Sequence, residues 1–397
     1  MAKVYVIGTF DTKEAELSYA RECAQAAGVP ALLVDVSTVS PSQSADVPAS
    51  DVAGWHPDGE PAVLGQSDRG AAVAAMGEAL SNYLVSRGDI GAVLGLGGSG
   101  NTAIVTAAMR ALPVGVPKIM VSTMASGDVS AYVGPNDIAM MYSVVDIAGL
   151  NTISRQVIAN AAHAAAGMAL NSAEFGDSAR PALGFTMFGV TTPCITAIRS
   201  ALEADFECFV FHATGTGGQS MEKLVDSGLL GGVFDITTTE VCDYLVGGVL
   251  PCTPDRFGAV IRTGVPYVGS VGAVDMVNFG ARETVPDRFQ SRRLHVHNPQ
   301  ITLMRTTAGE NADIGAWIVE RVNRMTGPVR FLLPLKGVSA IDREDQPFHD
   351  PQADEALFNA IRKGWTSAPN RELIEVDAHI NEEGFTREAL RQFRSLG

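Results

Sequence analysis

Ala92-Val-Leu-Gly-Leu-Gly-Gly-Ser-Gly-Asn-Thr102 is the stretch on which the reading of this chain turns. Apolar residues run into a cluster of glycine and serine, and an alanine-rich segment from Ala103 to Leu112 follows at once. That order predicts a strand, a tight turn and the N-terminus of a helix. Glycine lets a ligand approach the backbone closely, and the first N–H groups of the helix, which lack partners in their own helix, then face it. The fitting guest is an anion such as phosphate or carboxylate. A strand-to-helix turn that binds nothing is the alternative. Gly95, Gly97 and Gly100 satisfy G-x-G-x-x-G, yet no acidic residue follows at about 20 positions, where a dinucleotide fold keeps its ribose-binding acid. Gly95 and Gly100 with Asn101-Thr102 also approach a P-loop, with Asn101 standing where that motif requires Lys.

The chain has 397 residues, more than the ~250–300 that one core usually serves, so two domains are expected. Apolar residues make up 46%, and charged residues only 18% against a typical ~25%, which fits helices packed closely on buried sheets. A formal charge of −15 argues against binding nucleic acid or an anionic membrane, because that binding needs clustered Lys and Arg. No apolar run reaches the ~18 residues of a membrane span, and Met-Ala-Lys leads directly into Val4–Ile7, so a cytoplasmic location is expected. Cys23, Cys194, Cys208, Cys242 and Cys252 form no C-x-x-C pair and read as reduced core residues.

From the N-terminus, Val4–Ile7 is a buried strand that opens into Gly8-Thr-Phe-Asp-Thr-Lys13 ahead of a helix over 14–26. Thr9, Asp11, Thr12 and Lys13 thus stand at the carboxyl end of a strand, where open α/β sheets bind ligands, with Thr12 a possible cap for the helix. Ala31–Asp35 completes a βαβ unit, and residues 37–61 read as an irregular excursion. A helix over 68–86 precedes the opening motif, and a strand over 117–122 ends in Ser122, Thr123, Ser126 and Gly127. Residues 146–170 form one long Ala-rich helix, and residues 171–181 are the linker between domains spanning 1–175 and 182–397.

Beyond the linker the pattern restarts. Residues 182–192 parallel the first strand and its Gly-Thr loop, and Cys208–Phe211 parallel the second strand. Leu230–Thr239 falls without a gap on Ile90–Ser99, and Val265–Gly269 falls on Val116–Met120. The fold class that follows is α/β, with two Rossmann-like domains, mainly parallel sheets and a cleft between them. In the second half, Thr214, Gly215, Thr216, Gly217 and Gly218 precede a helix and form a second candidate anion site with His212 at its rim. Asp235 ends a strand among apolar neighbours, so His212 and Asp235 are the candidate catalytic pair. Glu240 reads as a helix-dipole acid. His295 and His297 share a strand face without a recognisable third metal ligand, and no metal is assigned. Lys336 and His379, each just past an apolar strand, are further polar groups for the same cleft.

Taken together, Gly8–Lys13, Gly97–Thr102, Ser122–Gly127, Asp235–Glu240 and Asp275-Met-Val-Asn-Phe279 resemble the Tm-one-like ATP-binding domain family, from near residue 3 to about residue 390. The resemblance implies two α/β halves, ATP bound in the N-terminal half and a homodimer. It places ATP on Thr9, Asp11, Thr12, Lys13, Gly97, Gly98, Ser99, Gly100, Asn101 and Thr102, with Lys13 supplying the charge that a P-loop takes from its lysine. In a plant member a TIM-barrel domain follows, so a separate TIM-barrel protein is an expected partner. Two functions stay open. One is a nucleotide-binding protein with phosphates on the Gly97–Thr102 loop; the other is a catabolic enzyme acting on a small phosphorylated or carboxylated substrate in the interdomain cleft, with His212 and Asp235.

Overall fold

The computed structural model describes residues 2–39, 44–171 and 180–396. It divides into two compact units, residues 1–175 and 176–397. Most of the sequence-derived linker, residues 172–179, lies outside the described residues.

In chain order the first unit runs β1 (Lys3–Gly8), α1 (Phe10–Ala26), β2 (Ala31–Asp35), α2 (Ala49–Ala53), α3 (Pro61–Leu64), α4 (Arg69–Val85), β3 (Ile90–Gly97), α5 (Ser99–Ala111), β4 (Lys118–Ser122), α6 (Ser130–Val133), β5 (Ile138–Tyr142) and α7 (Thr152–Leu170). The sheet is parallel throughout, in the order β2-β1-β3-β4-β5. Both faces are covered, which is why the strands read as unbroken apolar runs. Tyr5 and Ile7 enter the core cluster on one face, and Val4 and Val6 enter the cluster on the other.

Local contacts refine three stretches of the sequence reading. Helix α1 opens with a turn from Phe10, where Asp35 accepts the Phe10 N–H and Ser37 the Asp11 N–H, and after a kink at Lys13 (φ −139°, ψ 23°) runs on unbroken from Glu14, where the sequence places its start. Helix α7 begins at Thr152 rather than Asp146, because Asn151 caps it by accepting from Ile153 and Ser154. The described part of the expected excursion over 37–61 contains α2 and a bridge from Val47 to Val34; residues 40–43 lie outside the described residues.

The second unit runs β6 (Ala182–Met187), α8 (Thr192–Leu202), β7 (Glu207–His212), α9 (Thr216–Asp226), β8 (Gly232–Thr237), α10 (Glu240–Val246), α11 (Gly258–Thr263), β9 (Tyr267–Gly272), β10 (Met276–Phe279), β11 (Leu294–Asn298), β12 (Ile301–Arg305), α12 (Ala308–Val322), β13 (Val329–Pro334), α13 (Pro351–Gly364), β14 (Arg371–Val376) and α14 (Glu383–Arg394). Its main sheet is again all parallel, in the order β14-β13-β9-β8-β6-β7. Strands β10, β12 and β11 form a small antiparallel sheet inserted between β9 and β13.

Reading each unit from its own first strand gives one order: the second strand lies outside the first, and the third lies inside it. The pairing of Leu230–Thr239 with Ile90–Ser99 therefore places β8 on β3, and that of Val265–Gly269 with Val116–Met120 places β9 on β4. Both units are mixed α/β of the Rossmann-like kind. Among the described residues, no helix is long and apolar enough to cross a membrane.

Candidate functional site

In a doubly wound sheet of this order, the crossover helices after the first and third strands leave on opposite faces, and a crevice opens between the carboxyl ends of those strands. In the first unit these are β1 and β3, the strands that precede Gly8–Lys13 and Gly97–Thr102. A cavity of about 450 Å³ lies there. Its lining includes Thr9, Asp11, Thr12 and Lys13 from one loop, and Gly98, Ser99, Gly100 and Asn101 from the other.

Both first-unit loops end in helices, but the two helix ends are electrically different. At α1 the carboxylate is internal: buried Asp35 accepts the Phe10 N–H at 3.1 Å and is itself held by the Ser37 N–H and hydroxyl. At α5 no side chain caps the end, and the N–H groups of Ser99, Gly100 and Asn101 have no acceptor among the described residues. A 13-residue helix thus presents its positive end to the cavity without an internal anion.

The cations around this end also differ from expectation. Asn101, in the P-loop lysine's place, folds back and donates to the Leu96 carbonyl at 2.5 Å, which fixes the turn. Lys13 lines the cavity, but its ammonium donates to the Ile147 carbonyl at 2.6 Å. Arg69, which the sequence reading did not single out, is the first residue of α4 and lines the same cavity. Its guanidinium Nη2 stands 3.7 Å from where a β-carbon on Gly100 would be, and it has no carboxylate partner among the described residues. Thr38, Val39, Val73 and Ile104 complete the lining. The sequence signal for Arg69 was slight, a single cation just after the Asp68 cap of an amphipathic helix.

The remaining sequence-selected residues of this unit stand behind the cavity. Strands β3 and β4 pair Gly97 with Ser122, which brings the Thr102 and Ser122 hydroxyls to 2.7 Å, while Thr102 also donates to the Gly98 carbonyl. Thr123 lies near Gly98, whereas Ser126 and Gly127 are exposed at the end of a short 3-10 turn. Thr12 lies within α1 rather than at its cap, 3.1 Å from Thr9 between hydroxyls.

In the second unit the polar groups around β8, α9 and the start of α10 are taken up by the chain itself. Arg256 is buried and donates from Nε to Glu240 at 2.6 Å, from Nη1 to Glu222 at 2.8 Å and from Nη2 to Asp235 at 2.7 Å. Thr186 and Tyr267 donate to the same Asp235 carboxylate. Glu240 also accepts the Gly215 N–H at 2.8 Å, and it packs so tightly on Gly218 that a β-carbon there would stand 1.9 Å from its Oε1. The Thr214–Gly218 loop expected to hold a free anion therefore receives an internal carboxylate. Burial drives the Glu222 carboxyl up to about 7 despite Arg256, and raises Glu240 as well.

His212 and Asp235 are not brought together by a hydrogen bond. His212 is exposed at the end of edge strand β7 beside Phe188, with ring centroids 5.0 Å apart, and both Asp235 oxygens are engaged elsewhere. His295 and His297 lie on β11, the former against Phe348. Among the described residues no group of three His, Cys, Asp or Glu side chains is placed to hold a metal ion.

Comparison with known proteins agrees across the whole chain. The N-terminal domain of the uncharacterised protein family UPF0261 matches residues 2–174, and its C-terminal domain matches residues 180–397. A UPF0261 protein of Rhizobium meliloti is 55% identical over 396 residues, covering 100% of this chain and 99% of its own. One of Clostridium tetani is 42% identical, covering 96% of each chain. The ToMV resistance protein Tm-1 of Solanum lycopersicum is 41% identical over 419 residues; the match covers 99% of this chain and 56% of the tomato protein. A solved Streptomyces glycosyltransferase shares 13% identity over 68% of this chain and 82% of its own, at a TM-score of 0.18, too low to argue from.

Proposed function

We propose that this chain, which belongs to the UPF0261 family through both its N-terminal and its C-terminal domain, binds a nucleotide, ATP, in the crevice at the ends of β1 and β3. The observation that carries the reading is the open N-terminus of α5. Comparable loops at α1 and α9 are served by Asp35 and Glu240, whereas α5 has no internal carboxylate and faces a cavity that suits a small ligand. Phosphates lie on Gly98–Asn101, with Arg69 above them as the neutralising cation and Thr9 and Thr12 as hydroxyl partners. Apolar Val39, Val73 and Ile104 offer a surface for the base.

The reading assigns binding and no reaction. A catabolic reaction at His212 and Asp235 gains no support, since Asp235 is committed to Arg256, Thr186 and Tyr267. The proposal extends to a homodimer, supported by the apolar side chains Phe209 and Val210 left exposed on edge strand β7, and to a cytoplasmic location as an expectation from the sequence. A separate TIM-barrel partner stays an expectation from family resemblance.

Isothermal titration of the full chain with ATP tests the binding. We expect saturable binding by the wild type and loss of it in Gly98→Asp, which supplies at α5 the internal carboxylate that the other two helices already have. Absence of binding by the wild type, or undiminished binding by a folded Gly98→Asp, refutes the proposal.

A further inference from the structure

A second cavity, also about 450 Å³, lies in the C-terminal unit at the carboxyl ends of β13 and β14. It is separate from the Arg256 cluster and makes no use of the nucleotide reading. Its inner wall is formed by Asp354, Phe358 and His379, all almost fully buried, and its rim carries Lys336, Arg343 and His349 together with the acids Glu344 and Glu355, the latter paired with Arg362.

Asp354 is the carboxyl group of that wall. Its Oδ1 accepts from Arg305 Nη2 at 2.6 Å, and the same nitrogen reaches Asp342 Oδ1 at 3.3 Å. Behind them Asp275 is bonded through one oxygen to Ser339, while its Oδ1 is buried without a partner. Three buried carboxyls thus surround a single guanidinium, and like charges this close are relieved by retaining a proton. Burial first, then Asp342, pushes the Asp354 carboxyl up to about 8 against the pull of Arg305. His379 does not compete for this role. Its Nε2 is 2.8 Å from the Ser339 carbonyl and its Nδ1 accepts the Asn381 N–H, so the ring is fixed as a neutral tautomer with both nitrogens used.

At the rim the cations are unequally committed. Lys336 pairs with Asp377 at 3.0 Å, whereas the Arg343 guanidinium has no carboxylate partner among the described residues. Glu382, on the same side as His379, offers a carboxylate acceptor.

We infer that this cavity binds a small hydroxy-carboxylate, with its carboxylate held by Arg343 and His349 and a hydroxyl or carbonyl oxygen set against Asp354. A carboxylate suits the uncommitted guanidinium, and hydroxyls, which both donate and accept, suit a wall that mixes an acid with Glu382. The protonated Asp354 donates a hydrogen bond to the ligand oxygen. Arg305, Asp342 and Asp275 set its charge from behind; Lys336, Arg343, Glu344, His349, Glu355, His379 and Glu382 line the cavity around it.

The test uses the full chain and D-gluconate as probe, with D-glucose and acetate as its two halves, followed by saturation-transfer NMR and calorimetry. D-gluconate should bind at least about ten-fold more tightly than either half, and Arg343→Met should cost about ten-fold. Wild-type affinity should fall as pH rises through about 8, as Asp354 loses its proton, whereas Asp354→Asn, which keeps a donor at every pH, should bind with a flat profile. No binding of D-gluconate, an unchanged affinity in Arg343→Met, or the same pH profile in Asp354→Asn overturns the inference. Should Asp354→Asn fail to fold, the wild-type pH profile and Arg343→Met decide.

Discussion

Replacing Arg69 by methionine separates the cation that the structure places at the open helix end from the one that the sequence placed there. Arg69 is exposed, so the ~4 kcal/mol that Coulomb's law gives for unit charges 4 Å apart at an effective dielectric of about 20 is a ceiling. Solvent and salt reduce it towards the ~1.5–3 kcal/mol of a charge-assisted hydrogen bond. Arg69→Met should therefore raise the Kd for ATP by about 10- to 150-fold, and leave any affinity for adenosine, which has no phosphate, unchanged. Lys13→Met should matter less, about five-fold or below, because the Lys13 ammonium is already spent on the Ile147 carbonyl. Calorimetric titration of the three proteins with ATP and adenosine, at low and at high salt, measures both effects. Equal ATP affinities for Arg69→Met and wild type, or a larger loss in Lys13→Met, would refute the assignment of Arg69.

Three further outcomes concern the second unit. Arg256→Met leaves Glu222, Asp235 and Glu240 buried without their cation and should cost about 3–5 kcal/mol, seen as a melting temperature lower by roughly 6–20 °C in scanning calorimetry; an unchanged melting curve would show that the cluster is not a structural support. Burial raises the Asp243 carboxyl to about 7. Its folded form then holds a proton that the unfolded chain releases near pH 4, so the stabilisation is present at low pH and is lost as pH rises through about 7. Urea midpoints should fall between pH 5 and pH 8, and should fall less in Asp243→Asn. Gly337 has φ +121°, and a β-carbon there would stand 1.9 Å from the Asp342 carbonyl, so Gly337→Ala should destabilise by about 1–3 kcal/mol, and equal urea midpoints would exclude that clash.

Much of the architecture was legible because buried parallel strands are written as short apolar runs closed by glycine or hydroxyl residues. Val4–Ile7, Ala92–Leu94 and Ala182–Phe185 announce themselves in this way, and so does the gapless pairing of Leu230–Thr239 with Ile90–Ser99. The edge strand β5 was hidden, since Ile138–Tyr142 is partly exposed and carries methionines rather than β-branched residues. The candidate loops are legible by residue type, but their states are not. Whether a helix end receives an internal or an external anion depends on a residue distant in sequence: Asp35 for Phe10, Glu240 for Gly215. No local pattern encodes that choice. For the same reason Arg256, whose partners lie 16 to 34 positions away, carries no local signal of its role.

The Glu240 carboxylate at the start of α9 has a consequence for how the two units meet their surroundings. A tethered anion has an effective concentration set by the fold and not by the solution, so no ordinary level of phosphate or nucleotide displaces it. That end of the second unit is closed to dissolved anions, whereas the α5 end of the first unit, which follows a different strand of the shared order, has no carboxylate of its own. One strand order thus occurs twice in the chain, with α9 of the second copy closed by an acid of its own chain and α5 of the first copy left open.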